Sequence, residues 1–174
     1  LDVLHCAQIA SNTKERCYYC KRTIFSAIKE RAGDRTLIDG TNASDDLNLR
    51  PGMRALQELG VRSPLAECGL KKEQIRTLSK QAGLGTWNKP AYACLATRIP
   101  TGTVITGQLL KRVEGAEEEL RELGFSDFRV RLHSGAAKIQ VKQHQMELVL
   151  KRRKEILCRL QPYFDAVLLY LGAW

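Results

Sequence analysis

Cys94 sits in the segment Lys89-Pro-Ala-Tyr-Ala-Cys-Leu-Ala-Thr-Arg98. Pro90 holds the backbone extended ahead of it, and the neighbouring alanines leave room for a substrate at the sulfur. Lys89 and Arg98 bracket the thiol with positive charge, the setting that favours a nucleophilic thiolate. The same residues also describe an inert thiol between two solvated bases, and one cysteine alone does not separate these readings.

Other constellations carry chemistry of their own. In Asp39-Gly-Thr-Asn-Ala-Ser-Asp-Asp46, Gly40 permits a sharp turn, and Thr41 and Asn42 offer short hydrogen-bonding side chains. Asp45 and Asp46 offer oxygen ligands to a hard cation such as Mg²⁺. Taken alone, this segment reads first as an ordinary acidic turn. In Arg129-Val-Arg-Leu-His133 the arginines are two residues apart, so on a strand they share a face. Their guanidinium forks suit a phosphate, and a solvated strand face is the competing reading.

Arg16-Cys-Tyr-Tyr-Cys-Lys21 places Cys17 and Cys20 at a spacing that serves metal, iron–sulfur or redox chemistry. A four-thiolate zinc site would need a second close pair, which the sequence lacks. One more cysteine would complete a three-thiolate cluster site, and Cys94 is the candidate. Cys6, Cys68 and Cys158 stand alone in partly apolar contexts and are expected to be small buried thiols.

The elements that must position these residues follow from periodicity and punctuation. Residues 1–16 read as the end of one element and a loop, and residues 17–30 as a helix stopped at Gly33. Short strands are predicted over 36–40 and 61–65, a loop over 41–48, and helices over 51–59 and 71–82, the last with Ile75, Leu78 and Ala82 on one face. Strand–helix alternation predicts a parallel sheet, whose C-terminal strand ends gather ligands. After Pro100 the pattern changes. A helix over 106–123 has Thr106 as N-cap, and a hairpin joins 128–132 to 138–141 through the glycine-containing 133–137. A helix over 146–160 and a strand over 166–171 follow. We therefore expect an α/β chain: a partial Rossmann-like parallel sheet over 1–99, then a small α+β module over 100–174.

With 174 residues, 44% of them hydrophobic and 27% charged, the chain can bury a core without disulfide staples. No apolar run approaches the roughly 20 residues of a membrane span, and no basic-then-apolar leader is present, so a cytoplasmic protein with no membrane partner is expected. The net charge of +9 is concentrated at Lys151-Arg152-Arg153-Lys154, with smaller clusters at Lys71-Lys72 and Arg129/Arg131. Aromatic side chains for base stacking are not interleaved with these runs, so we assign the charge to phosphate-bearing small molecules rather than nucleic acid.

Taken in order, six blocks resemble the LarE family of ATP-dependent sacrificial sulfur transferases, within the PP-loop ATP pyrophosphatase superfamily. They are Arg16-Cys-Tyr-Tyr-Cys-Lys-Arg-Thr-Ile-Phe25, Asp39-Gly-Thr-Asn-Ala-Ser-Asp-Asp46, Arg50-Pro-Gly-Met-Arg-Ala-Leu56, Val61-Arg-Ser-Pro-Leu-Ala-Glu67, Pro90-Ala-Tyr-Ala-Cys-Leu-Ala-Thr-Arg-Ile-Pro100 and Arg129-Val-Arg-Leu-His133. The resemblance implies that residues 1–99 are the C-terminal part of a PP-loop domain and 100–174 a sulfur-transferase and substrate-phosphate domain. It implies adenylation, with ATP and Mg²⁺, of a carboxylate on a pyridinium mononucleotide, followed by displacement of AMP by a cysteine thiolate whose sulfur stays on the product. That product leads to a nickel-pincer cofactor. By resemblance, Cys94 is the sulfur donor and Arg129 and Arg131 bind the substrate phosphate. Asp39, Thr41, Asn42, Asp45, Lys89 and Arg98 fall in blocks that serve nucleotide or metal. Members with extra cysteines imply a [4Fe-4S] cluster on Cys17, Cys20 and Cys94, and the family implies a homo-oligomer.

The chain departs from the superfamily pattern at one point. It has no Ser-Gly-Gly-x-Asp-Ser loop, the segment whose backbone N–H groups cradle ATP phosphates. The expectation is a fragment of a longer sulfur transferase. A tRNA thiolation enzyme of the same superfamily and a non-catalytic nucleotide- or cluster-binding remnant are the other readings.

Overall fold

Buried apolar side chains fall into two sets, one before Lys89 and one after Pro90. The computed structural model describes residues 1–46 and 50–172, and its two compact units are Leu1–Lys89 and Pro90–Trp174. This division lies ahead of the change of pattern at Pro100. The side chain of Arg98 is buried inside the second unit and draws the segment from Pro90 onward with it.

In the first unit a short helix α1 (Ala7–Ala10) precedes α2 (Arg16–Ala32), which packs on α3 (Pro51–Glu58). Pro51 suits a first helical position, where its missing N–H would have had no partner in the helix. Met53, Ala55 and Leu56 of α3 are buried with Ile9 and Tyr18. The two helices approach closely because position 52 is glycine. A Cβ there would stand 2.9 Å from Cδ of Lys21 and 3.3 Å from the Cys17 carbonyl oxygen.

The parallel sheet expected over 36–40 and 61–65 is present as one parallel bridge, Ile38 to Arg62. The Asp39 N–H donates to the Arg62 carbonyl and the Arg62 N–H to the Leu37 carbonyl, both at 2.9 Å. The pairing stops there because Pro64 opens a short helix, α4 (Pro64–Glu67). The loop expected over 41–48 is described as far as Asp46, and its last two positions lie outside the described residues. Helix α5 (Lys72–Gln81) forms as predicted, but none of its residues is buried and Leu78 is 50% exposed.

The second unit carries a 3-10 helical turn at Leu95–Arg98, then α6 (Gly107–Glu122). Thr106 caps α6: its Oγ1 accepts from the Leu109 N–H at 3.1 Å. Strands β1 (Arg129–His133) and β2 (Ala136–Gln140) pair antiparallel around Ser134 and Gly135. Both turn residues have positive φ, 49° and 85°, as a tight hairpin whose twist matches its strands requires. The single helix expected over 146–160 is two, α7 (Met146–Lys151) and α8 (Arg153–Leu160). They separate at Arg152, whose guanidinium donates to the Leu123 carbonyl. β3 (Val167–Leu169) then joins β2 in parallel, giving the order β1-β2-β3. The architecture is mixed α/β, with this one small sheet among the described residues.

Register sorts the sheet into two faces. Val130, Ala137 and Ile139 point into a core completed by Val113, Ala116 and Leu120 of α6 and Ile156 and Leu160 of α8. Each fully buried leucine or isoleucine there contributes roughly 1.5–3 kcal/mol. The opposite face carries Arg129 across from Gln140, Arg131 across from Lys138, and Leu168 beside Lys138.

Gly115 of α6 is a second close-approach position. A Cβ there would lie 2.3 Å from Cε1 of Tyr163, whose backbone carbonyl is held by Arg112 Nε at 2.8 Å. Gly115→Ala gains about 1 kcal/mol of helix propensity but forces the ring aside, and overpacking costs about 1–3 kcal/mol. We expect a net loss of about 1 kcal/mol in a denaturant melt. An equally stable alanine variant would show that the ring swings out freely.

Candidate active site

The Cys94 segment is shaped by its backbone. Cys94 precedes the 3-10 turn Leu95–Arg98, and its carbonyl accepts from the Thr97 N–H at 2.9 Å and from Thr97 Oγ1 at 2.7 Å. Its side chain makes no capping hydrogen bond, and the residue is exposed. The turn is tied to the sheet by Arg131, whose Nη1 donates to the Thr97 carbonyl at 2.7 Å and Nε to Gln140 Oε1 at 2.6 Å. One arginine of the expected phosphate pair is therefore a single residue's bonds away from the turn that presents the thiol.

Arg98, expected as an open charge beside the thiol, is 2% exposed. Its Nε and Nη2 donate to the two carboxylate oxygens of Glu117 at 2.7 and 3.2 Å, and its Nη1 donates to the Ala93 carbonyl at 3.1 Å. Glu117 also accepts from the Val130 N–H at 3.0 Å and the Tyr92 hydroxyl at 3.0 Å. Burial and the Glu117 charge push the Tyr92 hydroxyl above its ordinary pKa. Arg98 thus spends its charge inside the fold, holding the residue just before Cys94.

A cavity of about 200 Å³ opens beside this pair, lined in part by Tyr92, Arg98, Glu117, Phe128 and Arg129. Burial, with the nearby charges of Arg98 and Arg131, pulls the Arg129 pKa down. Arg129 and Arg131 share the expected strand face, so their surroundings are positive and partly desolvated, conditions in which an anion is held strongly. Sequence reasoning placed Glu117 only within a helix and did not select it, Tyr92 or Phe128. An acid on the inward stripe with Val113, Ala116 and Leu120 was the available signal, because a buried carboxylate needs a cation.

In the first unit the loop after the Ile38 bridge is bonded to itself. Asp39 accepts from Ser63 Oγ at 2.6 Å, Thr41 Oγ1 at 2.5 Å and the Thr41 N–H at 3.2 Å. Asp45 accepts from the Asn42 N–H at 3.1 Å and pairs with Arg50 at 2.7 Å, while Asn42 Oδ1 caps the Ser44 N–H. The carboxylates fit a fixed turn, and they offer a cation only lone pairs left over from these bonds. Partial burial opposes ionisation of Asp39, but the donors Ser63 and Thr41 and the charge of Lys21 outweigh it and hold its pKa below 3.8. A depressed folded pKa means stability that is fully present above about 3.8 and is lost as pH falls through the lower folded value. Asp39→Asn should flatten that acid limb and cost about 1 kcal/mol at neutral pH, read by melts at pH 7 and pH 3.

Lys89 belongs to the first unit, where its carbonyl accepts from Arg76 Nη2 at 2.7 Å, and Cys94 belongs to the second. Cys17 and Cys20 lie in the first turns of α2, in the first unit. Among the described residues no three His, Cys, Asp or Glu side chains of either unit gather closely enough to hold a metal ion. Cys68 and Cys158 are exposed and Cys6 half-buried, contrary to the buried thiols expected: Cys6 and Cys68 stand at the ends of short helices, and Cys158 lies on the outward side of α8. Among the described residues no helix is long and apolar enough to cross a membrane.

No protein-family model matches the chain. Individual relatives do. An uncharacterized protein of Synechocystis sp. is 40% identical over 140 residues, which cover 79% of this chain and 52% of that protein. An uncharacterized protein of Methanocaldococcus jannaschii is 31% identical over 166 residues, covering 94% of this chain and 65% of the relative. The chain thus spans about half to two thirds of the length of these relatives. Over its whole length it is also 34% identical to the pyridinium-3,5-bisthiocarboxylic acid mononucleotide synthase of Lactiplantibacillus plantarum, 64% of which it covers. Over its whole length, then, the chain is similar in sequence to a synthase of the LarE type.

Proposed function

We propose that the chain serves a sulfur transfer in nickel-pincer cofactor biosynthesis, with Cys94 as donor and a carboxylated pyridinium mononucleotide as acceptor. The observation that carries the reading is the link Cys94–Thr97–Arg131: an exposed thiol on a turn fastened to a phosphate-type arginine. The similarity to a synthase whose name specifies a pyridinium bisthiocarboxylic acid mononucleotide supports the substrate class.

In the proposed sequence ATP converts the acceptor carboxylate to an acyl adenylate with release of pyrophosphate. The Cys94 thiolate attacks the acyl carbon, the C–O bond to AMP breaks, and a thioester forms. Loss of the Cys94 Cα proton to solvent water then drives cleavage of its Cβ–S bond, the electron pair of the C–H bond forming the new Cα=Cβ bond. The sulfur leaves on the product as a thiocarboxylate, and dehydroalanine remains in the chain. Asp39, Thr41, Asn42 and Asp45 are the residues proposed for ATP and its Mg²⁺. Their turn holds its shape through Ser63 and Arg50, and the ion would neutralise phosphate charge. The isolated Ile38–Arg62 bridge supports placing that turn at the end of a Rossmann-like parallel strand. The reaction proposed is cytoplasmic, on a small molecule, and in a homo-oligomer.

The Cys94 step can be tested apart from ATP use. Preformed acyl adenylate of nicotinic acid mononucleotide is added to the chain, and AMP release and intact mass are followed. Loss of about 34 mass units, the mass of H₂S, localised to Cys94 is expected. AMP release at an equal rate from Cys94→Ala, with no mass change in the unaltered chain, would overturn the assignment.

A further inference from the structure

Arg131 and Lys138 stand directly opposite one another across the β1–β2 pair. Two like charges in that position destabilise a hairpin, and a sequence selected for stability alone would place an acid on one side. Among the described residues no carboxylate forms an ion pair with either side chain. Arg131 is fixed by two neutral acceptors, Thr97 O and Gln140 Oε1, which orient its guanidinium without compensating its charge. Lys138 is half-buried, with its ammonium 5.4 Å from the ring centre of Tyr170, which is itself 40% exposed. Arg129 adds a third cation on the same face, two register positions along.

We propose that this face of the three-stranded sheet is a phosphomonoester site, in which Lys138 is a specificity residue completing the grip of Arg129 and Arg131. The inference rests on the reading of those two arginines as a phosphate site and adds the group that makes the site selective for a dianion. Arginine forks hold two oxygens of a phosphoryl group in a plane, and a lysine supplies a compact, mobile point charge for the remaining oxygen. Lys138 can supply it because the ring of Tyr170 lies under its ammonium and keeps it on the sheet. The repulsion between Arg131 and Lys138 is then a cost the empty site carries and a bound phosphate relieves.

The test titrates nicotinic acid mononucleotide, and separately its dephosphorylated riboside, into the chain and into Lys138→Gln, with a thermal midpoint for each protein. Lys138→Gln should weaken the mononucleotide about tenfold, leave the riboside unchanged, and keep or raise the midpoint, because a like-charge pair is removed. Lys138→Arg should retain most of the mononucleotide affinity. Unchanged mononucleotide affinity in Lys138→Gln, alongside a loss in Arg131→Gln, removes Lys138 from the site and leaves the proposed function standing. A lower midpoint with equal losses for mononucleotide and riboside marks a structural role and overturns the inference. If Arg129→Gln, Arg131→Gln and Lys138→Gln all bind as the unaltered chain does, or the unaltered chain does not distinguish mononucleotide from riboside, both readings fall.

Discussion

Glu117→Ala should destabilise the second unit by about 3–5 kcal/mol, because it leaves the Arg98 guanidinium buried without a counter-charge. Both side chains of this pair are 1% exposed, so water does not take over the lost bonds. The loss goes beyond one ion pair. Glu117 also accepts the backbone N–H of Val130, in the strand that lies against α6, and the hydroxyl of Tyr92 on the segment leading to Cys94. Hydrogen exchange at the Val130 amide should therefore accelerate sharply, a local readout that does not depend on unfolding of the first unit. The double variant Arg98→Met/Glu117→Leu separates packing from charge. Replacing a buried pair by apolar side chains of similar volume is often neutral or better, so most of the stability should return. Sulfur transfer should not return with it, because the Ala93 carbonyl has lost the Arg98 donor that fixes the approach to Cys94. Recovery of transfer in the double variant would show that the pair stabilises the fold and does not position the thiol.

How much of this could be read from sequence depends on how far apart the interacting residues lie. Local features were legible. Thr106 caps its helix as its hydroxyl predicts, and Pro51 starts one. Arg129 and Arg131 share a face because strand side chains alternate. Features that join distant segments were not. An inward acid at 117 calls for a cation, but its partner is nineteen residues away in the 3-10 turn after Cys94, where charge alone suggested solvent or substrate. The Arg131–Lys138 opposition depends on which two residues make the turn, and a loop read over 133–137 leaves the register open. The expected parallel sheet fell short for a physical reason. Ile38 is 66% exposed and pairs at a single bridge, since strand pairing needs neighbours on both sides to bury both faces, and Pro64 ends the second strand early. The thiols were misjudged because an apolar sequence neighbourhood does not reveal which side of a short helix a residue faces. Cys158 lies on α8 between buried Ile156 and Leu160, yet points outward.

Cys94→Ser should abolish sulfur transfer, by more than about a thousandfold, while leaving the fold and the mononucleotide affinity essentially unaltered. The separation follows from how the residue is held. Everything the structure asks of position 94 is asked of its backbone: the carbonyl that accepts from Thr97 N–H and Oγ1, and the extended dihedrals, φ −51° and ψ 135°, that start the 3-10 turn. Serine satisfies both, so the stability change should stay within about 0.5 kcal/mol, as for an exposed substitution away from special features. A serine hydroxyl is a weak nucleophile without an adjacent base, and any ester it formed would carry oxygen in place of sulfur to the product. Stopped at that point, the variant should bind acyl adenylate and release AMP only slowly. Tighter retention of the acyl adenylate with transfer lost is the pattern of a missing chemical group, whereas weakened binding and a lowered melting midpoint would mean that the sulfur supports the turn. Only the first pattern fits an exposed thiol whose side chain does not cap the turn that presents it.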